Sequence, residues 1–384
     1  MNTKDINISL LVGLKNNLDY NKHFYGTTRQ LYPEVEICFV SYASTDGTHE
    51  WLDSLEDSNV RYYYSEETRT FSETFNKATK LATKEYVAYL HNDIVLAPNF
   101  IENIEKHLKK DRVVSYTTIE PPIFAGHERP GKIICDLGSS LETFNVKTLY
   151  SFAESRQKLD ENKTEQGVTF FMCLSREVLL EIGGMDKLYS PMFCEDDDLI
   201  RRLSMKGLEL ITSLDAICYH FVSKTSRFSE EYQSRTQQIE YNSNKNFIRK
   251  WGNRNKAPKY NIAFVVKHCN LQMLEALEPW CDRIYIDDEM GVLFAAYNET
   301  EHKNTSYDLT KRVLNTKWND PQGENDIVLE FDAKQFTQQS FNIIQQLPEI
   351  IKESGEVGQF ELDIFKITIN SIQEYQNDLI VCKN

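Results

Sequence analysis

The alternation of strand-like and helix-like segments over the first 110 residues is the feature that most restricts the fold of this chain. Short apolar runs of strand length lie at residues 6–12, 36–41, 60–64 and 86–90. Between them apolar residues recur at helical spacing, as in Trp51, Leu52 and Leu55. Parallel strands need long crossover connections, usually helices, so the alternation predicts an α/β fold: a mostly parallel central sheet flanked by helices.

The loops after these four strands are the predicted ligand-binding region. In open α/β sheets, ligands bind beyond the carboxyl ends of the strands. The loops at residues 13–16, 41–46, 65–69 and 91–93 should therefore border one crevice.

A run of four carboxylates, residues 195–198, precedes a helical pattern in which Leu199 and Leu203 share one face. The unpaired N–H groups and the dipole of a helix N-terminus favour negative charge there. Taken alone, such a run is typical of a solvated acidic helix start.

Composition excludes several classes of protein. The formal net charge of −15 argues against a nucleic-acid binder, because neutralising phosphates requires a basic surface. The eight cysteines are widely spread without a Cys-x-x-Cys pair, which favours reduced thiols over disulfides or a zinc site. Without a signal segment or a run of ~18 apolar residues, we expect a cytoplasmic protein that has no integral membrane segment.

A length of 384 residues suggests about two domains. The polar segment 251–258, with Gly and Pro, is a predicted linker, giving domains 1–252 and 253–384. The second, smaller α/β domain has predicted strands at 261–266, 283–287, 326–331 and 378–382, and a helix at 341–352. Residues 287–289 could bind a cation there, although a solvated acidic turn is the commoner explanation. Residues 111–166 show only a loose, irregular pattern.

An ordered set of motifs points to one enzyme family. The motifs are Ser44-Thr45-Asp46-Gly47-Thr48, a strand leading into His91-Asn92-Asp93, Gly183-Gly184-Met185-Asp186, Glu195-Asp196-Asp197-Asp198-Leu199, and Tyr219-His220. With these motifs in this order, residues 6 to about 252 resemble the inverting glycosyltransferases of family two, which have the A-type nucleotide-sugar-binding fold. The resemblance implies transfer of a sugar from a nucleotide-sugar donor, by default a UDP-sugar, to a glycan or other hydroxyl acceptor, as in polysaccharide synthesis.

The resemblance also implies a divalent cation, Mn²⁺ or Mg²⁺, which stabilises the charge of a nucleoside diphosphate leaving group. Asp93 corresponds to the last Asp of the family's Asp-x-Asp motif and is the expected metal ligand. His220 corresponds to a later histidine that can complete the coordination. A histidine packed at a strand end remains the alternative for His220.

Inversion requires one carboxylate as general base for the acceptor hydroxyl, and Asp196 matches the family's base. Glu195 is expected to orient the acceptor or the loop. Asp198 is expected to act as a helix cap or as a partner of Arg202. Asp46 is expected to cap a helix.

The expected donor-binding residues are Leu14, Ser41, Tyr42, Arg69, His91 and Asn92. Arg69 could lie near the nucleotide or be a surface arginine. Tyr42 could stack on a base. Two departures from the family pattern leave the identity of the donor undecided. Residues 41–43 occupy the place of the acidic residues that usually bind the base and ribose, and His91-Asn92 occupies a place where Asp is commonest.

Two other functions remain open from the sequence. A sugar nucleotidyltransferase would generally need a Gly-rich basic loop after the first strand, and residues 13–17 contain one Gly. A non-catalytic descendant of the fold could bind a glycan or serve in assembly. The second domain could bind the acceptor or mediate assembly.

Overall fold

The structure is a computed structural model that describes residues 6–122, 126–222, 232–254, 257–288, 290–314 and 325–376. The chain divides into two compact units, residues 1–239 and 240–384. The division lies inside a helix, Thr236–Trp251, and the boundary predicted at residue 252 directly follows that helix.

Unit 1 is built around one large sheet. Its strands are β1 (Ile8–Leu14), β2 (Glu36–Tyr42), β3 (Val60–Ser65), β4 (Tyr86–His91), β5 (Ile94–Leu96), β6 (Arg112–Glu120), β7 (Lys132–Ile134), β8 (Thr164–Gln166), β9 (Met172–Ser175) and β10 (Glu209–His220). Its helices are α1 (Leu18–Leu31), α2 (Thr48–Asp53), α3 (Phe71–Leu81), α4 (Phe100–Glu105), α5 (Val146–Leu159), α6 (Arg176–Glu181), α7 (Glu195–Met205) and the start of α8 (Thr236–Trp251).

The strand order β3-β2-β1-β4-β9-β6-β10-β5 places β1 between β2 and β4. The first four strands are parallel to one another, as their helical crossovers require. β9 inserts antiparallel between β4 and β6, so the second half of the sheet is mixed. The predicted α/β class, with a central sheet and a second smaller α/β unit, is confirmed.

The stretch 111–166 is more regular than the sequence indicated. It contains β6, β7, β8 and the 14-residue helix α5. Only Leu149 and Ala153 of α5 are buried, so the apolar stripe that normally reveals a helix is weak. The two predicted short strands at 208–211 and 216–221 are one strand, β10, with a bulge between Ser213 and Ile217.

Unit 2 has a separate six-stranded sheet. Its strands are β11 (Ile262–Lys267), β12 (Arg283–Ile286), β13 (Val313–Leu314), β14 (Ile327–Asp332), β15 (Gly358–Leu362) and β16 (Phe365–Ile369), and its helices include α9 (Leu271–Leu277), α10 (Val292–Thr300) and α11 (Gln338–Ser354). The parallel order β13-β12-β11-β14 repeats the order β3-β2-β1-β4 of unit 1. The β15–β16 hairpin was not predicted, and the predicted strand at 378–382 lies outside the described residues.

The cysteines within the described ranges are free thiols, as expected for a reduced protein. In the same ranges, every helix is too short or too polar to cross a bilayer. The cytoplasmic location stays a prediction.

Candidate active site

Asn21, a buried asparagine on α1, is hydrogen-bonded to segments that follow β1, β2 and β4. Asn92 Nδ2, after β4, donates to Asn21 Oδ1 at 2.6 Å. Asn21 Nδ2 in turn donates to the carbonyl oxygen of Asn16, after β1, at 3.1 Å and to Thr48 Oγ1, after β2, at 3.0 Å. The ends of β1, β2 and β4 therefore meet at one edge of the sheet, as the topology predicted.

Non-glycine residues with left-handed backbone conformations are concentrated at this edge and before α7. Six of the ten among the described residues lie there: Asn16 (φ 55°), Asn17 (φ 59°), Ala43 (φ 50°), Phe193 (φ 77°), Cys194 (φ 66°) and Val222 (φ 65°). Such conformations cost about 1–3 kcal/mol each and are commonest at functional sites. The surrounding structure must hold them in place.

Two of the predicted donor-binding side chains point into the protein. Leu14 is buried in the main core. Ser41 Oγ is hydrogen-bonded to Ser44 Oγ at 2.8 Å and to His49 Nε2 at 3.1 Å. These two residues therefore fix the ends of β1 and β2, and a ligand could reach them only through their backbone.

Tyr42 and Arg69 line one surface groove of about 520 Å³ over α3. The Tyr42 ring lies edge-on to Tyr63, with centroids 5.8 Å apart. Arg69 is nearly half exposed and forms ion pairs with Glu67 and Glu73. Both residues could contact a bound ligand, although the Arg69 guanidinium already has two carboxylate partners.

Asp46 was expected to cap a helix; the N-cap residues of α1 and α2 are Asn17 and Gly47, but the Asp46 carboxylate accepts an N–H at the start of both helices. Its Oδ2 accepts the N–H of Leu18, the first residue of α1, at 2.8 Å. Its Oδ1 accepts the N–H of Thr48, the first residue of α2, at 3.2 Å. One carboxylate thus satisfies two helix N-termini.

Three side chains at the end of β4 and β10 form a possible metal site: His91, Asp93 and His220, with ligand atoms all within 4.8 Å of one another. His91 Nδ1 lies 3.9 Å and His220 Nε2 lies 3.5 Å from Asp93 Oδ1. Asp93 and His220 are the metal ligands predicted from the sequence, whereas His91 was assigned to the donor. Two imidazoles and one carboxylate are a suitable donor set for a divalent transition-metal ion.

The His91 ring is packed among aromatic side chains. Its centroid lies 4.6 Å from that of Phe170, 5.0 Å from that of Phe171 and 6.0 Å from that of Phe71. Burial lowers the pKa of His91 to about 4, although the Asp93 carboxylate opposes this shift. His91 is therefore neutral near pH 7, the form in which an imidazole can coordinate a metal.

His220 is held between two carboxylates. Its Nδ1 lies 3.2 Å from Glu120 Oε1, and Glu120 Oε2 lies 2.9 Å from Lys132 Nζ. Burial by itself would lower the pKa of His220, but the Asp93 and Glu120 carboxylates raise it to about 9, so near pH 7 a cation would have to displace a proton from this ring. Burial by itself would raise the pKa of Glu120, but hydrogen bonds from His220 and Lys132 lower it to about 2. Neither Glu120 nor Lys132 was predicted as a site residue.

The four carboxylates at the start of α7 differ in exposure. Glu195 and Asp198 are buried, Asp196 is partly exposed, and Asp197 is exposed. Asp198 Oδ2 accepts from Arg202 Nε at 2.7 Å, and its Oδ1 accepts from Tyr189 OH at 3.2 Å. Asp198 is thus the partner of Arg202 that the sequence indicated.

Replacing Asp198 by Ala should lower the free energy of unfolding by about 3 kcal/mol, because it leaves the Arg202 charge without its buried partner. Asp197→Ala, at the exposed neighbouring position, should change it by about 0.5 kcal/mol or less. Urea denaturation of both variants tests this difference. Equal effects of the two substitutions would mean that the Asp198–Arg202 pair has no special structural role.

Glu195 is buried beside the other carboxylates. Its Oε2 has no hydrogen-bond partner among the residues that the structure describes. Burial raises the pKa of Glu195 well above its usual value, and the charges of Asp196 and Asp197 raise it further.

Glu195→Gln should therefore stabilise the protein at neutral and alkaline pH. Since the pKa of Glu195 is higher in the folded than in the unfolded state, its contribution to stability falls as pH rises above about 4.5. The gain in unfolding free energy from Glu195→Gln should be near zero at pH 4 and grow toward pH 8, and urea denaturation across this range measures it. A gain independent of pH, or one matched by the exposed control Glu161→Gln, would contradict this assignment.

One aromatic side chain connects the acidic helix with the metal ligands. Phe71 packs on His91 and belongs to the apolar cluster that contains Met192 and Phe193, just before α7. Its N–H donates to the carbonyl oxygen of Pro191 at 3.0 Å. The start of α7 and the metal ligands therefore lie on the same side of unit 1.

The Gly-Gly-Met-Asp motif is fastened to α3 by Asn76. The Asn76 side chain accepts from the N–H of Met185 at 2.8 Å and donates to the carbonyl oxygen of Met185 at 2.7 Å. A Cβ on Gly184 would lie 2.2 Å from Asn76 Oδ1, and the φ of Gly184 is +72°. Only glycine fits there, which explains this part of the motif.

Residues 24–183 match the family described as Glycosyl transferase family 2. The matched range includes His91 and Asp93, whereas Glu195, Asp196 and His220 lie beyond it. A comparison with curated proteins finds no match.

Solved structures similar to this chain include the following three. The mannosyltransferase PcManGT from Pyrobaculum calidifontis, in complex with GDP-Man and Mn²⁺, has 20% sequence identity and a TM-score of 0.41, covering 58% of this chain and 59% of that chain. GalNAc-T7 with UDP, GalNAc and Mn²⁺ has 12% identity and a TM-score of 0.45, and the match covers 63% of this chain and 47% of that chain. S. aureus TarS 1-349 has 12% identity and a TM-score of 0.42, covering 63% and 71%. This chain thus spans less than two thirds of the first two structures.

Proposed function

We propose that this chain, in which residues 24–183 form a glycosyltransferase family 2 domain, is a metal-dependent inverting glycosyltransferase acting on a nucleotide-sugar donor and a hydroxyl acceptor. The observation that carries the proposal is the grouping of His91, Asp93 and His220 at the carboxyl ends of β4 and β10. In open α/β sheets that edge is where ligands bind.

His91, Asp93 and His220 would hold the cation. Bound there, the cation would stabilise the negative charge that develops on the nucleoside diphosphate leaving group. Mg²⁺ takes oxygen ligands almost exclusively, whereas a divalent transition-metal ion can also accept imidazole nitrogens. We therefore favour Mn²⁺ over Mg²⁺, because two of the three ligands are histidines.

Asp196 would be the general base. It is partly exposed at the first turn of α7, where the helix dipole favours a carboxylate. Its carboxylate takes the proton of the acceptor hydroxyl as the acceptor oxygen bonds to the anomeric carbon, and the bond from that carbon to the diphosphate oxygen breaks. A single displacement of this kind inverts the anomeric configuration.

Glu195 would be the buried neighbour of Asp196 that orients the acceptor or the loop before α7. Burial raises the pKa of Glu195 well above its usual value, and the charges of Asp196 and Asp197 raise it further.

The donor would occupy the crevice at the ends of β1, β2 and β4, with a UDP-sugar as the default. Asn92 Oδ1 is buried there without a hydrogen-bond partner in the described part of the chain, so it can accept from a ligand. Tyr42 would stack on the base, and Arg69, paired with Glu67 and Glu73 in the same groove, would lie near the nucleotide. Leu14 and Ser41 would contribute their backbone.

The test is release of nucleoside diphosphate from a panel of UDP-, GDP- and other nucleotide sugars, with Mn²⁺, Mg²⁺ or a chelator. We expect turnover with Mn²⁺, less with Mg²⁺ and none with chelator. A non-catalytic glycan-binding protein would release nothing, and a sugar nucleotidyltransferase would release pyrophosphate when given sugar phosphate and nucleoside triphosphate. Either result would overturn the proposal.

Unit 2 would bind the acceptor, a glycan or another hydroxyl compound, or mediate assembly. Synthesis of a glycan or polysaccharide is the process that would use such a reaction. Transfer assayed with unit 2 present and removed is the direct comparison.

A further inference from the structure

Glu120 ends β6 and His220 ends β10, and these two strands are parallel neighbours in the sheet of unit 1. Their register pairs Ile119 with Tyr219, so the next residue along each strand, Glu120 and His220, lies beside the other. The two side chains, 100 positions apart in sequence, meet with Glu120 Oε1 3.2 Å from His220 Nδ1.

Lys132 holds the other carboxylate oxygen of Glu120. Lys132, on β7, is paired with Thr118 on β6, which shares a sheet face with Glu120 because side chains alternate along a strand. Lys132 Nζ lies 2.9 Å from Glu120 Oε2, and Thr118 Oγ1 donates to Glu120 Oε1 at 3.3 Å. The carboxylate is thus fixed by partners on both oxygens.

We propose that Glu120 is a positioning residue that, anchored by Lys132, orients the His220 imidazole for metal binding. An ionised carboxylate can only accept, so Nδ1 of His220 must donate to it. Nε2 is then the ring nitrogen left facing Asp93, 3.5 Å from its Oδ1. A second-sphere carboxylate that fixes a ligand histidine in this way raises metal affinity. The inference rests on the proposed metal site.

The test is Mn²⁺ binding to the full chain, measured from the EPR signal of free Mn²⁺. Glu120→Ala should raise the dissociation constant 10- to 100-fold. Glu120→Gln keeps the size of the side chain and an acceptor oxygen, and should lie between Ala and wild type. Lys132→Met should weaken binding less than Glu120→Ala, and Glu165→Ala, an exposed position on β8, should bind as wild type does.

A purely structural role would behave differently. If Glu120 positions His220, saturating Mn²⁺ should restore the kcat of Glu120→Ala. At limiting Mn²⁺, the pulsed EPR spectrum of Mn²⁺ bound to Glu120→Ala should show one nitrogen coupling where wild type shows two. The positioning role would be overturned if Glu120→Ala and Glu120→Gln both bind Mn²⁺ with a dissociation constant within twofold of wild type. That result would leave the metal site standing, provided that His220→Asn still weakens binding. Wild-type binding by His220→Asn would overturn the metal site itself.

Discussion

Asp196→Asn should lower kcat roughly 10²- to 10⁴-fold, the range for loss of a general base, and leave the KM for the donor nearly unchanged. The amide has the shape of the carboxylate but cannot take the proton of the acceptor hydroxyl. Because Asp196 is partly exposed at the start of α7, the substitution should leave the folded structure and Mn²⁺ binding intact. Steady-state rates of donor cleavage with acceptor present measure the effect.

Asp197→Asn is the matched control, since it makes the same change one residue further along the helix at an exposed position. It should retain wild-type turnover. If Asp196→Asn turns over as fast as wild type, or if both variants lose activity equally, Asp196 is not the base. Circular dichroism of both variants separates loss of chemistry from loss of structure.

Asp93→Asn should raise the dissociation constant for Mn²⁺ at least 100-fold, more than the 10- to 100-fold typical of second-sphere residues, and abolish metal-dependent turnover. Asp93 is the only carboxylate among the three grouped ligands, so its loss leaves two imidazoles, and no negatively charged ligand, to hold a divalent cation. Titration of Mn²⁺ by EPR or calorimetry gives the constant directly.

Unit 2 provides the control for this substitution. Asp332 ends β14, the fourth strand of the repeated parallel order, and lies 3.0 Å from His268 Nδ1. It therefore makes a single carboxylate–histidine pair at a comparable position in the sheet. Asp332→Asn should leave Mn²⁺ affinity unchanged, and a loss equal to that of Asp93→Asn would show that the cation is not bound at Asp93.

The sequence was sufficient to predict the first half of unit 1, in which strands and helices alternate along the chain. β1 to β4 are apolar runs separated by amphipathic helices, so their parallel arrangement follows from the alternation alone. Asp93 was identifiable because it comes directly after the fourth strand. The pairing of Asp198 with Arg202 was identifiable because the two residues are four apart on one helix.

The remaining site residues depend on contacts between distant segments. Glu120 precedes two prolines in a stretch that looked irregular, and its place beside His220 depends on the register of β6 and β10. Asn21 has nothing in its local sequence that distinguishes it from other polar helical residues. The topological rule gave the position of Leu14 and Ser41 along the chain but not the direction of their side chains, which point inward.

His91 has surroundings that its place in the sequence motif did not indicate. From the sequence it was predicted to be a donor-binding residue, at a point of the family motif where Asp is commonest. The structure puts its ring beside Asp93 and His220, in a group that could hold a metal ion, and against Phe170 and Phe171. A histidine can replace a carboxylate in the ligand set, and the expected cation preference changes with it.

The configuration of the released sugar tests the central claim most directly. The reaction contains the donor identified from the panel, Mn²⁺, and water as the acceptor. Proton NMR of the anomeric signal during the first minutes distinguishes the two anomers of the released sugar before they equilibrate. The account predicts that an α-linked donor first gives the β-sugar, and that Asp196→Asn suppresses its formation. First appearance of the α-sugar would contradict direct displacement with Asp196 as the base.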